Sequence, residues 1–261
     1  MKTRFLIFIL SIALFSCKQE KLEKTYTPRA LNNGEGFNEF PKDKNDALKI
    51  LKTDSGSKAG DLFVLQFRDT VILIKDDPKP LATKFYQPRF MNSQKTAALI
   101  QVADSSGLVS PFFIVSIKDG KPEVIKLDRP STGANDSKIT AGLQELSLST
   151  VLVNNDYIVT LINGKIYPVK RQNDAERIQG TFLYSSGDRK TLVFATANSL
   201  YQTNYITGEA VNLPVPASIL DPATVAKNVQ QNYHFKKNPK GSLFLEKNDD
   251  DKIVDISEFK K

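Results

Sequence analysis

From about residue 48 onward the chain is written in short runs of β-branched and aromatic residues separated by Gly, Pro, Asn and Asp. That is the pattern of strands joined by tight turns. VILIKDDPKPLATKF (71–85) turns near Pro78, PFFIVSIKDGKPEVIKL (111–127) at Asp119-Gly120 and YIVTLINGKIYPVK (157–170) at Asn163-Gly164. SLYQTNYITGEAVNL (199–213) turns at Thr207-Gly208, and SLFLEKNDDDKIVDI (242–256) near Asp250. Asp-Gly and Asn-Gly favour hairpins because both central residues of a type I′ turn take positive φ. The apolar strand positions include Leu99, Val102, Val115, Val159, Leu161, Leu192, Phe194 and Leu243.

The turns recur. Pro78 to Gly120 is 42 residues, Gly120 to Gly164 and Gly164 to Gly208 are 44 each, and Gly208 to Asp250 is 42. An all-strand pattern of that period predicts an all-β, β-propeller-like fold of about five blades of roughly 43 residues, each a four-stranded sheet. A β-sandwich is the alternative, since it also gives short strands at regular spacing. RFMNSQKTAALIQVA (89–103), TFLYSSGDRKTLVFAT (181–196) and YHFKKNPKGSLFLEK (233–247) share one outline: aromatic-containing strand, polar turn, apolar strand. In this they resemble the repeats of TolB-type and WD-type propellers, with Ser186-Gly187-Asp188-Arg189-Lys190 the nearest match. The resemblance implies architecture and carries over no functional residue. The last unit reads as three strands ending at Ile256, its fourth to come from residues near 46–52 or 37–40 and close the ring. LDPATVAKNVQQN (220–232) predicts the one short helical insertion, with Asp221 as N-cap and Pro222 first in the helix. RPSTGANDSKITAG (129–142) reads as a long polar loop, and such loops are where binding function tends to sit.

The first residues follow a different rule. Lys2 and Arg4 precede an uncharged run of 11 residues, Phe5–Phe15, and then Ser16 and Cys17, the single cysteine of the chain. A membrane-spanning helix needs about 20 apolar residues, so this run fits a secretory signal. Leu14-Phe15-Ser16-Cys17 resembles the lipobox of bacterial lipoproteins, which implies that residues 1–16 are removed and that Cys17 carries the lipid, including a palmitate-type acyl chain. A thiolate is the nucleophile such a thioether requires. An ordinary signal peptide with an incidental cysteine is the plainer alternative. Lys18 stands where enteric lipoproteins retained in the inner membrane carry Asp, so the resemblance implies the outer membrane of a diderm cell envelope. Residues 17–45 are then expected as anchor and flexible tether, and 46–261 as the β domain.

Composition adds little chemistry. Thirty-six basic and 29 acidic residues are interspersed, without the stripe of Lys/Arg and aromatics that nucleic acid demands, so no nucleic-acid partner is expected. With one histidine, His234 in a strand-like YHF, and an acylated cysteine, no zinc ligand set and no Ser–His–Asp triad is expected. Asn248-Asp249-Asp250-Asp251 lacks calcium-loop spacing and reads as a solvated turn. Phosphate-cradling glycine motifs are missing, and no cofactor or metal site is expected. Loop carboxylates Asp104, Asp136, Asp156, Asp174 and Asp188 leave paired-carboxylate chemistry open, with nothing selecting two of them. The expected function is a membrane-anchored module binding a protein or glycan. A carbohydrate-active hydrolase or lyase and a structural docking component are the alternatives, because a fold of this kind hosts all three.

Overall fold

The computed structural model describes residues 22–53, 61–103, 111–132, 141–249 and 255–260. Cys17, Asp104, Asp136, Asp250 and Asp251 lie outside the described residues. The fold is all-β, with twenty strands, one α-helix and one 3-10 turn among those residues.

The strands follow the chain as successive units. The first holds β3 (Leu48–Lys52), β4 (Phe63–Phe67) and β5 (Thr70–Ile74), with β1 (Leu22–Tyr26) parallel to β5. The second is the antiparallel meander β6 (Phe85–Phe90), β7 (Ala97–Val102), β8 (Phe112–Lys118) and β9 (Lys121–Lys126), with β2 (Arg29–Ala30) parallel to β9. The third is β10 (Leu143–Ser147), β11 (Thr150–Val153), β12 (Tyr157–Thr160) and β13 (Ile166–Pro168). The fourth is β14 (Thr181–Ser186), β15 (Thr191–Ala195), β16 (Ser199–Asn204) and β17 (Ala210–Pro214). Helix α1 (Val225–Asn232) leads to a final hairpin, β18 (Tyr233–Lys237) and β19 (Leu243–Lys247), and β20 (Phe259–Lys260) returns to pair with β14.

Each core lies between two consecutive units, because alternate residues of one strand face opposite neighbours. Ala97, Leu99, Phe112 and Ile114 pack on Val151, Val153 and Val159 of the third unit. Their neighbours Ala98, Ile100, Phe113 and Val115 pack on Leu65, Ile72 and Ile74 of the first. Leu152 and Ile158 meet Leu192, Phe194 and Tyr201, while Val193 and Leu200 meet Val229, Phe235 and Leu245. Burial on both faces explains why these strands read as continuous apolar runs rather than as alternating ones. Leu99, Val115, Val159, Leu192 and Phe194 are buried, and Val102, Leu161 and Leu243 pack against the clusters partly covered.

Several expectations require correction. The first two units are merged through one residue pair, Phe63 with Phe85, into a nine-stranded sheet. This sheet is a curled half-barrel and not a closed propeller. Residues 48–52 do not complete the last unit; they pair with β4, where Leu48 is buried against the first core. The stretch expected as a tether is built into the fold from Leu22: β1 and β2 add to two sheet edges, and Phe37 is buried against the third unit. Arg29 holds it there by pairing with both Glu35 and Glu123. The helix begins later than expected. Asp221 accepts from Ala223 N–H (3.0 Å) and caps a preliminary turn, so Thr224 becomes the N-cap.

Hairpin chemistry fits the backbone at Asp119 and Gly120, both at positive φ (51° and 72°). A turn not anticipated is Asn154-Asn155, also at positive φ (52° and 56°), which asparagine tolerates better than most residues.

Candidate functional site

A large cleft follows a defect in β6. Pro88 has no N–H to give to a ladder, so the β6–β7 register shifts between Tyr86 and Arg89. Gln87 is turned to φ 44°, an uncommon conformation for a residue with a Cβ. The strand splays from β4 beyond the Phe63–Phe85 pair and opens a space of about 630 Å³ lined by Asp61, Phe63, Tyr86, Gln87, Pro88, Arg89 and Gln101. That volume is in the ordinary range of small-molecule sites.

Its wall is divided by chemistry. Phe63, Tyr86 and Pro88 offer apolar and aromatic surface, while Arg89, Gln87 and Gln101 offer donors. The Arg89 guanidinium is fixed by Glu145 of β10, which ties the cleft floor to the third unit. Asp61 is bonded to Lys52 Nζ at 2.8 Å. Among the described lining residues Asp61 is the one carboxylate, and none is Ser, Cys or His. Such a set can orient a ligand that has a flat or apolar face and several acceptors. Among the described residues it supplies no nucleophile–base pair.

The carboxylates singled out in the sequence go elsewhere. Asp156 sits at the centre of a buried knot: Arg171 Nε donates to its Oδ1 at 3.0 Å and Arg177 Nε to its Oδ2 at 2.9 Å. Arg129 approaches to 3.9 Å. Burial pushes the Asp156 carboxyl up, and the arginines pull it back. Arg171 also donates to the carbonyls of Arg129 (2.8 Å), Pro130 (3.1 Å) and Asp174 (3.1 Å), so the knot pins the start of the 129–142 loop to the chain after β13. Burial likewise raises the neighbouring Tyr157 to about 12; its hydroxyl donates to Asp128 O. The donors named here go to a carboxylate and carbonyls of the protein itself, which fits a structural device.

Asp174 contributes only its carbonyl to that knot, and Asp188 accepts from Ser186 Oγ (2.6 Å) and Lys190 N–H (3.1 Å) to shape a turn. His234 is buried in β18 with Nδ1 2.9 Å from Asn248 Oδ1. Among the described residues no group of three or more His, Cys, Asp or Glu is placed to hold a metal. Sequence reading missed the cleft residues altogether; its one signal is the Gln-Pro pair inside an otherwise regular strand pattern. No family model matches the chain, and no curated protein is matched by it.

Proposed function

We propose that this chain is a cell-envelope lipoprotein, held in the outer membrane by lipid on Cys17, whose β body binds a protein or glycan. The observation that carries the anchor is the lone cysteine at the end of a short apolar run, in Leu14-Phe15-Ser16-Cys17. The observation that favours binding over turnover is the β6 cleft, with aromatic wall, a fixed guanidinium and two glutamine amides. The body is read as propeller-like with about five units: four-stranded meanders recur at the sequence period, and each packs face to face on the next.

Two experiments test the two halves. Cells fed labelled palmitate incorporate label into the wild-type chain and not into Cys17→Ala; equal label on both removes the anchor. Arg89→Ala and Tyr86→Ala, both at half-buried positions, abolish capture of envelope glycans or proteins and shift the melting temperature by only a few degrees. Capture that survives both substitutions removes the cleft as the binding site.

A further inference from the structure

We infer that one end of the molecule, the end carrying the hairpin tips beside Leu22, docks on the lipid surface itself. This rests on the anchor reading above for its starting point, and on three observations for its geometry.

First, the turns of successive units gather at that end. Leu22 pairs with Thr70 beside the β4–β5 turn, and Arg68 of that turn reaches Asp46 (2.6 Å), whose carboxylate lies against Gly120 of the β8–β9 turn. Lys42 bonds Asp119 (2.8 Å), which brings the segment after Phe40 to the same place. The β6–β7 turn meets the β12–β13 turn through the Asn92–Asn163 bridge, and Leu161 N–H donates to Ser149 O of the β10–β11 turn (2.8 Å). At the opposite end, Asn155 of the β11–β12 turn donates to Gly180 O at the head of the fourth unit (3.2 Å). The β14–β15 and β16–β17 turns therefore stand at the Leu22 end too. Gly187 of the former lies against Glu258, and Glu209 accepts from Ser242 of the last hairpin.

Second, this end carries the exposed apolar side chains. Leu148 is 100% exposed, Phe40 77%, Ile256 73%, Leu22 and Ile162 67% and Ile206 49%. Only Leu81 and Val211 complete the set of exposed large apolar residues among those described. Hairpin tips ordinarily take Gly, Asn, Asp or Ser, and a solvent-facing Leu or Ile contributes nothing to the fold there. Among the described residues, the β11–β12 and β15–β16 turns at the other end, Asn154–Asp156 and Thr196–Asn198, are polar apart from Ala197, and the β5–β6 connection there exposes Leu81. Single exposed apolar residues are unremarked on a protein surface, but their gathering on one end is not.

Third, the lipid site is close. Five residue steps separate Cys17 from Leu22, which at full extension span at most about 17–18 Å. Leu22 is already paired in the first unit, so an acylated Cys17 holds this end within that distance of the bilayer. Basic and acidic residues alternate around the tips, so the contact is insertion of apolar tips at the interface rather than attraction to anionic headgroups. The β6 bulge lies within the strand, and Asp61 and Gln101 of the cleft stand toward the end away from these tips, leaving a route to it from solvent.

Because Cys17 is acylated in the anchored protein, an introduced cysteine is its only free thiol. Leu148→Cys, Ile162→Cys and, as a control at the other end, Ala197→Cys are labelled with an environment-sensitive dye. The lipidated proteins are then placed in vesicles of phosphatidylethanolamine and phosphatidylglycerol containing a lipid-borne quencher. Dyes at 148 and 162 should shift to the blue and be quenched, and the dye at 197 should behave as in water. If the lipidated proteins give three identical, water-like signals, the docking face is overturned while the anchor stands, and the face is then left for a protein partner. If palmitate labelling shows no lipid on Cys17, the anchor falls and the face is judged on residues 17–261 carrying Cys17→Ser. Sedimentation of that chain with the same vesicles, weakened about tenfold by Leu148→Ser with Ile162→Ser, supports the face. Its remaining in solution overturns it.

Discussion

Replacing Gly164 by alanine measures how firmly the N-terminal segment is locked to the third unit. Gly164 has φ +61°, and a Cβ built there lies 2.0 Å from the carbonyl oxygen and 2.4 Å from the carbonyl carbon of Phe37. The left-handed backbone alone costs an L-residue about 1–2 kcal/mol. The obstacle is backbone, not a flexible side-chain end, so the Phe37 segment must withdraw by roughly 1 Å or more. Withdrawal breaks the hydrogen bond from Phe37 N–H to Gly164 O (2.9 Å). A bond of that kind contributes about 1 kcal/mol net. It also loosens the Phe37 ring, 2% exposed in the core between the second and third units. Deleting a buried Phe outright costs about 3–5 kcal/mol, and half of that is a reasonable share for a displaced one. Together Gly164→Ala should cost about 4–5 kcal/mol, a large part of a whole-domain stability of about 5–15. Gly208→Ala is the matched control: its φ is +69°, with nothing within 4 Å of a built Cβ. It should lose only the backbone cost, about 1–2 kcal/mol. In urea unfolding the two midpoints should then differ by about 1 M or more at an m-value of about 2–3 kcal/mol/M. Equal midpoints would refute the claim that Phe37 is locked against this glycine.

Further outcomes follow from the same contacts. Asp156→Asn leaves the buried guanidiniums of Arg171 and Arg177 without their counter-charge and should cost about 3–5 kcal/mol in denaturant unfolding. A chain beginning at residue 46 loses β1, β2, Phe37 and the Arg29–Glu35 pair, and should melt about 10 °C or more below one beginning at residue 18, contrary to what a free tether would give. Hydrogen bonds from Arg29 hold the Glu35 carboxyl below its ordinary value. Its contribution to stability is therefore fully present above the unfolded carboxylate value and is lost as pH falls through the lower folded one. Glu35→Gln should flatten that acid-side slope in pH-dependent melting, and an unchanged slope counts against the pairing.

The recurrent units were legible because their strands are buried on both faces, which writes Val, Ile, Leu and Phe into continuous runs at a fixed spacing. The second, third and fourth units could be placed from Asp119-Gly120, Asn163-Gly164 and Thr207-Gly208 alone. The N-terminal strands were not legible, for a physical reason. Strand β1, LEKTY, is exposed along most of its length and is held by main-chain bonds to β5, so its side chains carry no burial pattern. Phe37 is a solitary core residue in a polar stretch, and its partner Gly164 was visible only as a turn former. In the sequence Asp156 is one loop carboxylate among five. Nothing local distinguishes it, since its partners Arg171 and Arg177 follow 15 and 21 residues later. The cleft depends on a bulge whose only trace is Gln87-Pro88, and on the splaying of two strands that no periodicity encodes.

Strands β1 and β2 leave the ribosome before their partners and are among the last that can be satisfied. Leu22 waits for Thr70, Arg29 for Ile125 and Phe37 for Gly164, partners that arrive 48, 96 and 127 positions later. Contacts that far apart in sequence close slowly, because the intervening chain must be ordered first. The N-terminal segment therefore stays an open edge while the later units fold. Docking of Phe37 then closes the sequence, making the seating of the N-terminal segment a late event of folding, dependent on residues more than a hundred positions downstream. Mutations in the β12–β13 turn should consequently act on how completely the N-terminal segment seats, although they lie far from it in sequence.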